Sequence, residues 1–142
     1  MTRPIFLTLA AIIALLVGIV ASTFPEVLLA SKGVEIDAAV IVWVRQVGVA
    51  LIGIGLVAFA TRKHPDSPTM RAFLLGNAVH QALLAPIEVI AFQQGIITKL
   101  EGIVPNTILH LLLASGFLFF GMRMTPRSPV SDAAREERPL GP

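Results

Sequence analysis

Glu88 and His110 are the side chains best suited to move a proton in this chain. Each sits within an apolar stretch, and a carboxylate and an imidazole kept from water can work as acid and base. Arg45 sits in another apolar stretch and is permanently cationic. Amides and a further imidazole accompany them: Gln46 follows Arg45, Asn77, His80 and Gln81 precede Glu88, and Asn106 precedes His110. A charged side chain near the centre of a membrane costs roughly 2.5–3.5 kcal/mol on insertion scales, so such groups face protein and find partners. Arg45, Gln46, Asn77, His80, Gln81, Glu88 and His110 are more polar groups than helix packing needs in so short a chain. They point to a polar cavity inside the membrane.

The elements that must position these groups are membrane helices. The chain has 142 residues, of which 55% are hydrophobic and 14% charged. Soluble domains average about 25% charged residues, so this chain lacks the polar surface a soluble fold needs. Cysteine and tyrosine are absent, which removes disulfides, thiolate sites and phenolic acids. A membrane crossing needs about 20 apolar helical residues. Four segments qualify: about Ile5 to Ala21, Ala38 to Ala60, Met70 to Gln93, and Pro105 to Met122. The expected fold is an all-α, four-helix transmembrane bundle over residues 1–124. The first segment, with Arg3 before it and the small residues Ala21 and Ser22 at its end, also resembles a secretory signal peptide. Signal peptides usually have apolar regions of about 7–15 residues, and this one runs longer, so it is read as a retained span.

Basic residues give the orientation. Arg3 precedes the first span, Arg62, Lys63 and Arg71 flank the turn after the second, and Arg123, Arg127, Arg135 and Arg138 follow the fourth. Only Lys32 and Lys99 fall on the other side. Both termini are therefore expected in the cytoplasm, and the protein in the plasma (inner) membrane. The outer segment from Phe24 to Leu29 reads as a short interfacial turn, and Gln94 to Val104 as an outer loop dipping into the headgroups. The tail 125–142 is rich in proline, serine and charge and reads as disordered. The basic residues form no patch that would fit a nucleic acid.

In the third span Asn77, His80, Gln81 and Glu88 fall within a stripe about 100° wide. The opposite face, with Ala78, Val79, Leu83, Ile87 and Ile90, is suited to lipid. Asn106 and His110 share a face of the fourth span. Counting about 1.5 Å per residue from the outer ends puts Arg45, Glu88 and His110 at one level, with His80 and Gln81 nearer the midplane. An Arg45–Glu88 ion pair extended by His110 is expected. Trp43 anchors the second span near the outer interface and borders the cavity. Gly48, Gly53 and Gly55 in the second span and Gly116 and Gly121 in the fourth allow helix backbones to approach.

The chemistry that follows is acid–base work on a lipophilic substrate entering from the bilayer, such as isomerisation, cyclisation or epoxide opening. Glu88 and His110 would handle protons, Arg45 would stabilise charge, and Gln46, Asn77, His80, Gln81, Asn106 and Trp43 would line the cavity. No cofactor is required. A bis-imidazole haem between His80 and His110 is disfavoured by a height difference of about 7 Å. A metal on His80, His110 and Glu88 would be repelled by Arg45. A non-enzymatic subunit of a membrane complex, a homo-oligomer, or a small proton-coupled carrier would use the same residues differently. Four spans and an intramembrane glutamate resemble small multidrug exporters, but those carry their essential glutamate in the first span, and this first span has none.

An arginine early in the second span (VRQVGVALIGIGLVAFA), a basic turn, and a histidine in the fourth span before small residues (LHLLLASGFLFF) resemble the DoxX-like four-helix bacterial membrane proteins. The resemblance covers spans two to four. It implies a compact four-helix membrane domain, with an association with redox complexes in some members, and carries over no catalytic residue. Hydrolase, metalloprotease, ATPase and nicotinamide motifs are absent.

Overall fold

A computed structural model describes residues 1–124, and the tail expected to be disordered lies outside them. The described chain forms α1 (Arg3–Thr23), α2 (Pro25–Lys32), α3 (Ala38–Thr61), α4 (Pro68–Gln93), a 3-10 turn at Leu100–Gly102, and α5 (Val104–Arg123). No strand occurs among the described residues. α1, α3, α4 and the segment Leu100–Arg123 are each long and apolar enough to cross a membrane.

Local chemistry starts and stops these helices. α1, α2, α4 and α5 each carry proline in the first turn, where its missing N–H costs no hydrogen bond. Asp37 caps α3 by accepting from the N–H groups of Ala39 and Val40 at 2.7 and 2.9 Å. Ser67 caps α4 by accepting from Met70 N at 3.1 Å. Gly33 ends α2 with φ 66°, a left-handed conformation that glycine adopts without strain. α4 runs on through Pro86.

The bundle is two hairpins, α1 with α3 and α4 with α5. Glycine brings α1 and α3 together. A Cβ added at Gly18 would lie 2.8 Å from the Gly48 carbonyl oxygen, and one at Gly55 only 3.1 Å from that of Ala11. Gly53 was expected to serve the same purpose, but a Cβ there would meet nothing within 4 Å. It lies about 140° round the helix from Gly48 and so faces away from the seam.

The hairpins meet in a core at the end that carries the N-terminus, called here the basal end. Phe6, Leu7 and Ala10 of α1 pack against Met70, Leu74 and Ala78 of α4 and Phe117 of α5. The Phe6 and Phe117 rings meet edge to face with centroids 4.9 Å apart. Arg3 pairs with Asp66 and donates to the carbonyl of His64, tying α1 to the α3–α4 turn. Ala78, expected to face lipid, is instead in this core at 7% exposure, whereas Val79, Leu83, Ile87 and Ile90 are exposed.

The opposite, distal end is closed by α2 and the α4–α5 loop. In the stretch from Phe24 to Leu29, expected as an interfacial turn, Phe24 precedes the helix α2 and the rest belongs to it, with Pro25 and Leu29 buried. The loop expected to dip into headgroups is docked on that helix. The N–H groups of Thr98 and Lys99 both donate to the Lys32 carbonyl at 3.2 Å, and Lys99 Nζ donates to the Ala30 carbonyl at 2.8 Å. Ile97 and Ile103 of the loop are buried.

Candidate functional site

Between the basal core and the distal clasp the hairpins part, leaving a cavity of about 540 Å³. Ligand pockets commonly have volumes of about 300–1,000 Å³. One wall is α3 from Val40 to Ile54, with Val17 and Ala21 of α1, and is apolar. The facing wall holds the polar groups: Lys32 of α2, His80 and Glu88 of α4, and Asn106 and His110 of α5. Most of the lining is apolar carbon. The polar cavity expected from the sequence is thus an apolar cleft with one polar side.

Lys32 is held in place by backbone chemistry. It is the last residue of α2, and its own carbonyl accepts the two N–H groups from Thr98 and Lys99. So anchored, its ammonium donates to Glu88 Oε1 in an ion pair. The side chains of Lys32 and Glu88 are 16% and 15% exposed. Glu88 Oε2 is buried and has no hydrogen-bond partner among the described residues.

This corrects the expected Arg45–Glu88 pair. The Arg45 side chain is 53% exposed and approaches Glu26 Oε1 at 3.9 Å. The reason is rotation. Val40, Val44, Val47, Leu51 and Ile54 share the side of α3 that faces the cavity, and Arg45 lies about 140° round the helix from them. Its long stem lets the guanidinium reach toward the distal end instead. Gln46, also exposed, lies outside the cavity lining.

His110 sits in a chain of hydrogen bonds. Its Nδ1–H donates to Gln81 Oε1 at 2.6 Å, and its Nε2 accepts from Asn106 Nδ2 at 3.1 Å. This arrangement takes the neutral Nδ1–H tautomer and occupies both ring nitrogens. Gln81 is 8% exposed, so a buried amide fixes the ring. His110 therefore lies level with Gln81 and not with Glu88. From this level α4 rises about 18 Å to its distal end and α5 only about 9 Å, so counting from helix ends misplaces the two. The height difference that disfavoured a haem between His80 and His110 goes with it. Both His110 nitrogens, however, are already bonded to protein.

The other expected residues divide cleanly. His80, Asn106 and Trp43 line the cavity. Gln81, buried against His110, and Asn77 are both outside its lining, and the Asn77 amide donates to the Phe73 carbonyl of its own helix at 2.8 Å. Among the described residues no three His, Asp or Glu side chains form a group that could hold a metal ion.

Lys32 is the residue that sequence reasoning missed. It entered only as a charge in the topology count. The available signal was a lysine just before a helix-ending glycine on a side of the membrane nearly free of basic residues.

No protein-family model, curated protein or solved structure matches this chain.

Proposed function

We propose that this protein is a multi-pass plasma-membrane protein that binds a lipophilic small molecule in the cleft between its two hairpins. The observation that carries the reading is the cavity itself: about 540 Å³, apolar along α3, with Lys32, His80, Glu88 and His110 on the facing wall. Such a wall orients a ligand by its polar group, while the apolar wall holds its hydrocarbon body. The orientation has both termini in the cytoplasm. Arg3, Arg62, Lys63, Arg71 and Arg123 all belong to the basal end, which matches the side on which basic residues are retained. Acid–base chemistry on the bound molecule falls to Glu88 in the cavity lining, with Lys32 stabilising the carboxylate. The DoxX-like resemblance carries none of this reading.

The test is native mass spectrometry of the protein extracted in polymer-bounded native lipid discs. A small molecule retained by the wild type should be lost in Ala50→Trp, which fills the cavity, and kept in Leu83→Trp, which faces lipid. A folded wild-type protein carrying no such molecule would sink the reading.

A second reading has its own observation. The Lys32–Glu88 pair joins α2 to α4, and the bonds of His110 join α5 to α4. The same groups then serve as ties in a structural or accessory subunit. That reading predicts that Glu88→Gln and His110→Ala fail to accumulate, and that a second polypeptide copurifies with the wild type.

A further inference from the structure

The cavity between the hairpins is long and thin. Its α3 wall runs from Val40 to Ile54, which is about 21 Å of helix at about 1.5 Å per residue. Spread over that length, its volume of about 540 Å³ gives a mean cross-section of about 26 Å². Apolar groups in contact lie about 4.0–4.5 Å apart, so one hydrocarbon chain takes about 20 Å² and two abreast about 40 Å². The cavity therefore has room for one chain. A fused-ring body is at least two chains wide, and the helix of a partner is about 10–12 Å across. Neither fits.

The length matches as well. A bilayer with its headgroups is about 40–45 Å thick, so one leaflet is about 21 Å deep. An extended chain of saturated carbons advances about 1.25 Å per bond, which sets the cavity at about sixteen chain atoms. α3 packs closely on α1 and α2 and not on α4 or α5, so a chain can enter the gap sideways from the bilayer. Water gains no hydrogen bond along Val40, Val44, Val47, Leu51 and Ile54, whereas a chain gains contacts there. Lipid tails are as apolar as that wall, so leaving the bilayer gains little by itself and fit selects the ligand. Resting on the ligand-binding reading above, we infer that the cavity takes one unbranched hydrocarbon chain of an outer-leaflet amphiphile, its polar end on the distal side by Lys32 and its tail reaching Ile54.

Trp43 is the only tryptophan in the sequence and lines the cavity, so its fluorescence reports what fills it. The full-length protein would be placed in discs of phospholipid brominated on its chains, where bromine quenches the indole on contact. Unbrominated monoacylglycerols with chains of about ten to about twenty-two carbons would then bracket the cavity length, with cholesterol as the ring-bodied comparison. A chain of matching length should relieve the quenching saturably. Half-relief should come at about tenfold lower concentration for about sixteen carbons than for about ten, because the short chain leaves roughly a third of the cavity unfilled. Cholesterol should give no saturable relief. With the reporter moved to the lipid face (Trp43→Phe with Leu83→Trp), no compound should. Ile54→Phe narrows the deep end and should move the optimum to shorter chains, and Ile54→Ala to longer ones. Should these variants fail to fold, the wild-type length series still decides. The mass retained in native discs tells a free single-chain amphiphile from a phospholipid with one chain inserted. Saturable relief by cholesterol equal to that by the chains, or relief independent of chain length, would overturn the single-chain assignment while leaving ligand binding intact. Absence of saturable relief by every compound would overturn it too, and the ligand-binding reading falls with it only if native discs also retain no molecule.

Discussion

Lys32 and Glu88 show how a charge is tolerated inside a membrane protein. Each alone would be an uncompensated ion in an apolar setting, and together they form a nearly buried pair. Removing one partner should therefore cost more than removing both. Lys32→Met and Glu88→Gln should each lower stability by about 2 kcal/mol, less than for a fully buried pair because both side chains keep some exposure. The double variant should cost less than either single one, measured by reversible unfolding in mixed micelles. Arg45→Met should stay within about 0.5 kcal/mol of wild type, because its guanidinium is exposed and its approach to Glu26 is long. An Arg45→Met loss equal to that of Glu88→Gln would restore the pairing first expected and sink the one described. Glu88 was legible in the sequence as a costly residue needing a cation. Its partner was not, because residue type sets the need for a counter-charge while helix rotation and loop docking choose which cation arrives.

Among the elements, the α1–α3 seam is the tightest. Gly18 and Gly48 place their backbones in direct contact, so no side chain fits between them. Gly53 is on the same helix and faces open space. The two positions make a matched pair of substitutions. Gly48→Val should push the helices apart and cost about 3 kcal/mol, at the upper end of overpacking penalties. Gly53→Ala should be neutral or stabilise by up to about 1 kcal/mol, the helix propensity gained. Thermal unfolding of the two variants in detergent checks this, and equal effects would mean that the seam is not where it is placed. The glycines themselves could be read from the sequence. Which of them touch another backbone depends on the phase of α3 relative to α1.

For the whole molecule, the polarity of the ends can be tested directly because the natural chain has no cysteine. Lys63→Cys lies in the basal α3–α4 turn and Glu101→Cys in the distal α4–α5 loop. With both termini in the cytoplasm, an impermeant maleimide should label Glu101→Cys on intact spheroplasts and Lys63→Cys only after lysis. The reverse pattern would invert the proposed topology. The same architecture explains why the cavity lies where it does. Large side chains, Phe6, Phe117 and Met70, fill the basal half. Toward the distal end α1 turns to its glycine seam with α3, and α2 with its docked loop closes that end. The space between the hairpins is left open between the core and the clasp.

The four long helices were determined by the sequence alone, because their causes are local: apolar runs of membrane length, prolines in first turns, and Asp37 and Ser67 as caps. The amphipathic stripe on α4 was legible only in part: Gln81 and Glu88 turn inward, whereas His80 is exposed and Ala78 of the opposite face lies in the core. Only the tertiary structure decided which face of each helix meets protein. In water, burial sorts apolar from polar residues, so a pattern reveals the inward face. Between lipid and protein that sorting vanishes, because both surroundings are apolar. Ala78 and Val79 are adjacent and both apolar, yet the less apolar one is in the core and the other faces out. The pairing of Lys32 with Glu88 across 56 residues follows from that same packing, and so it could not be read before the helices were placed.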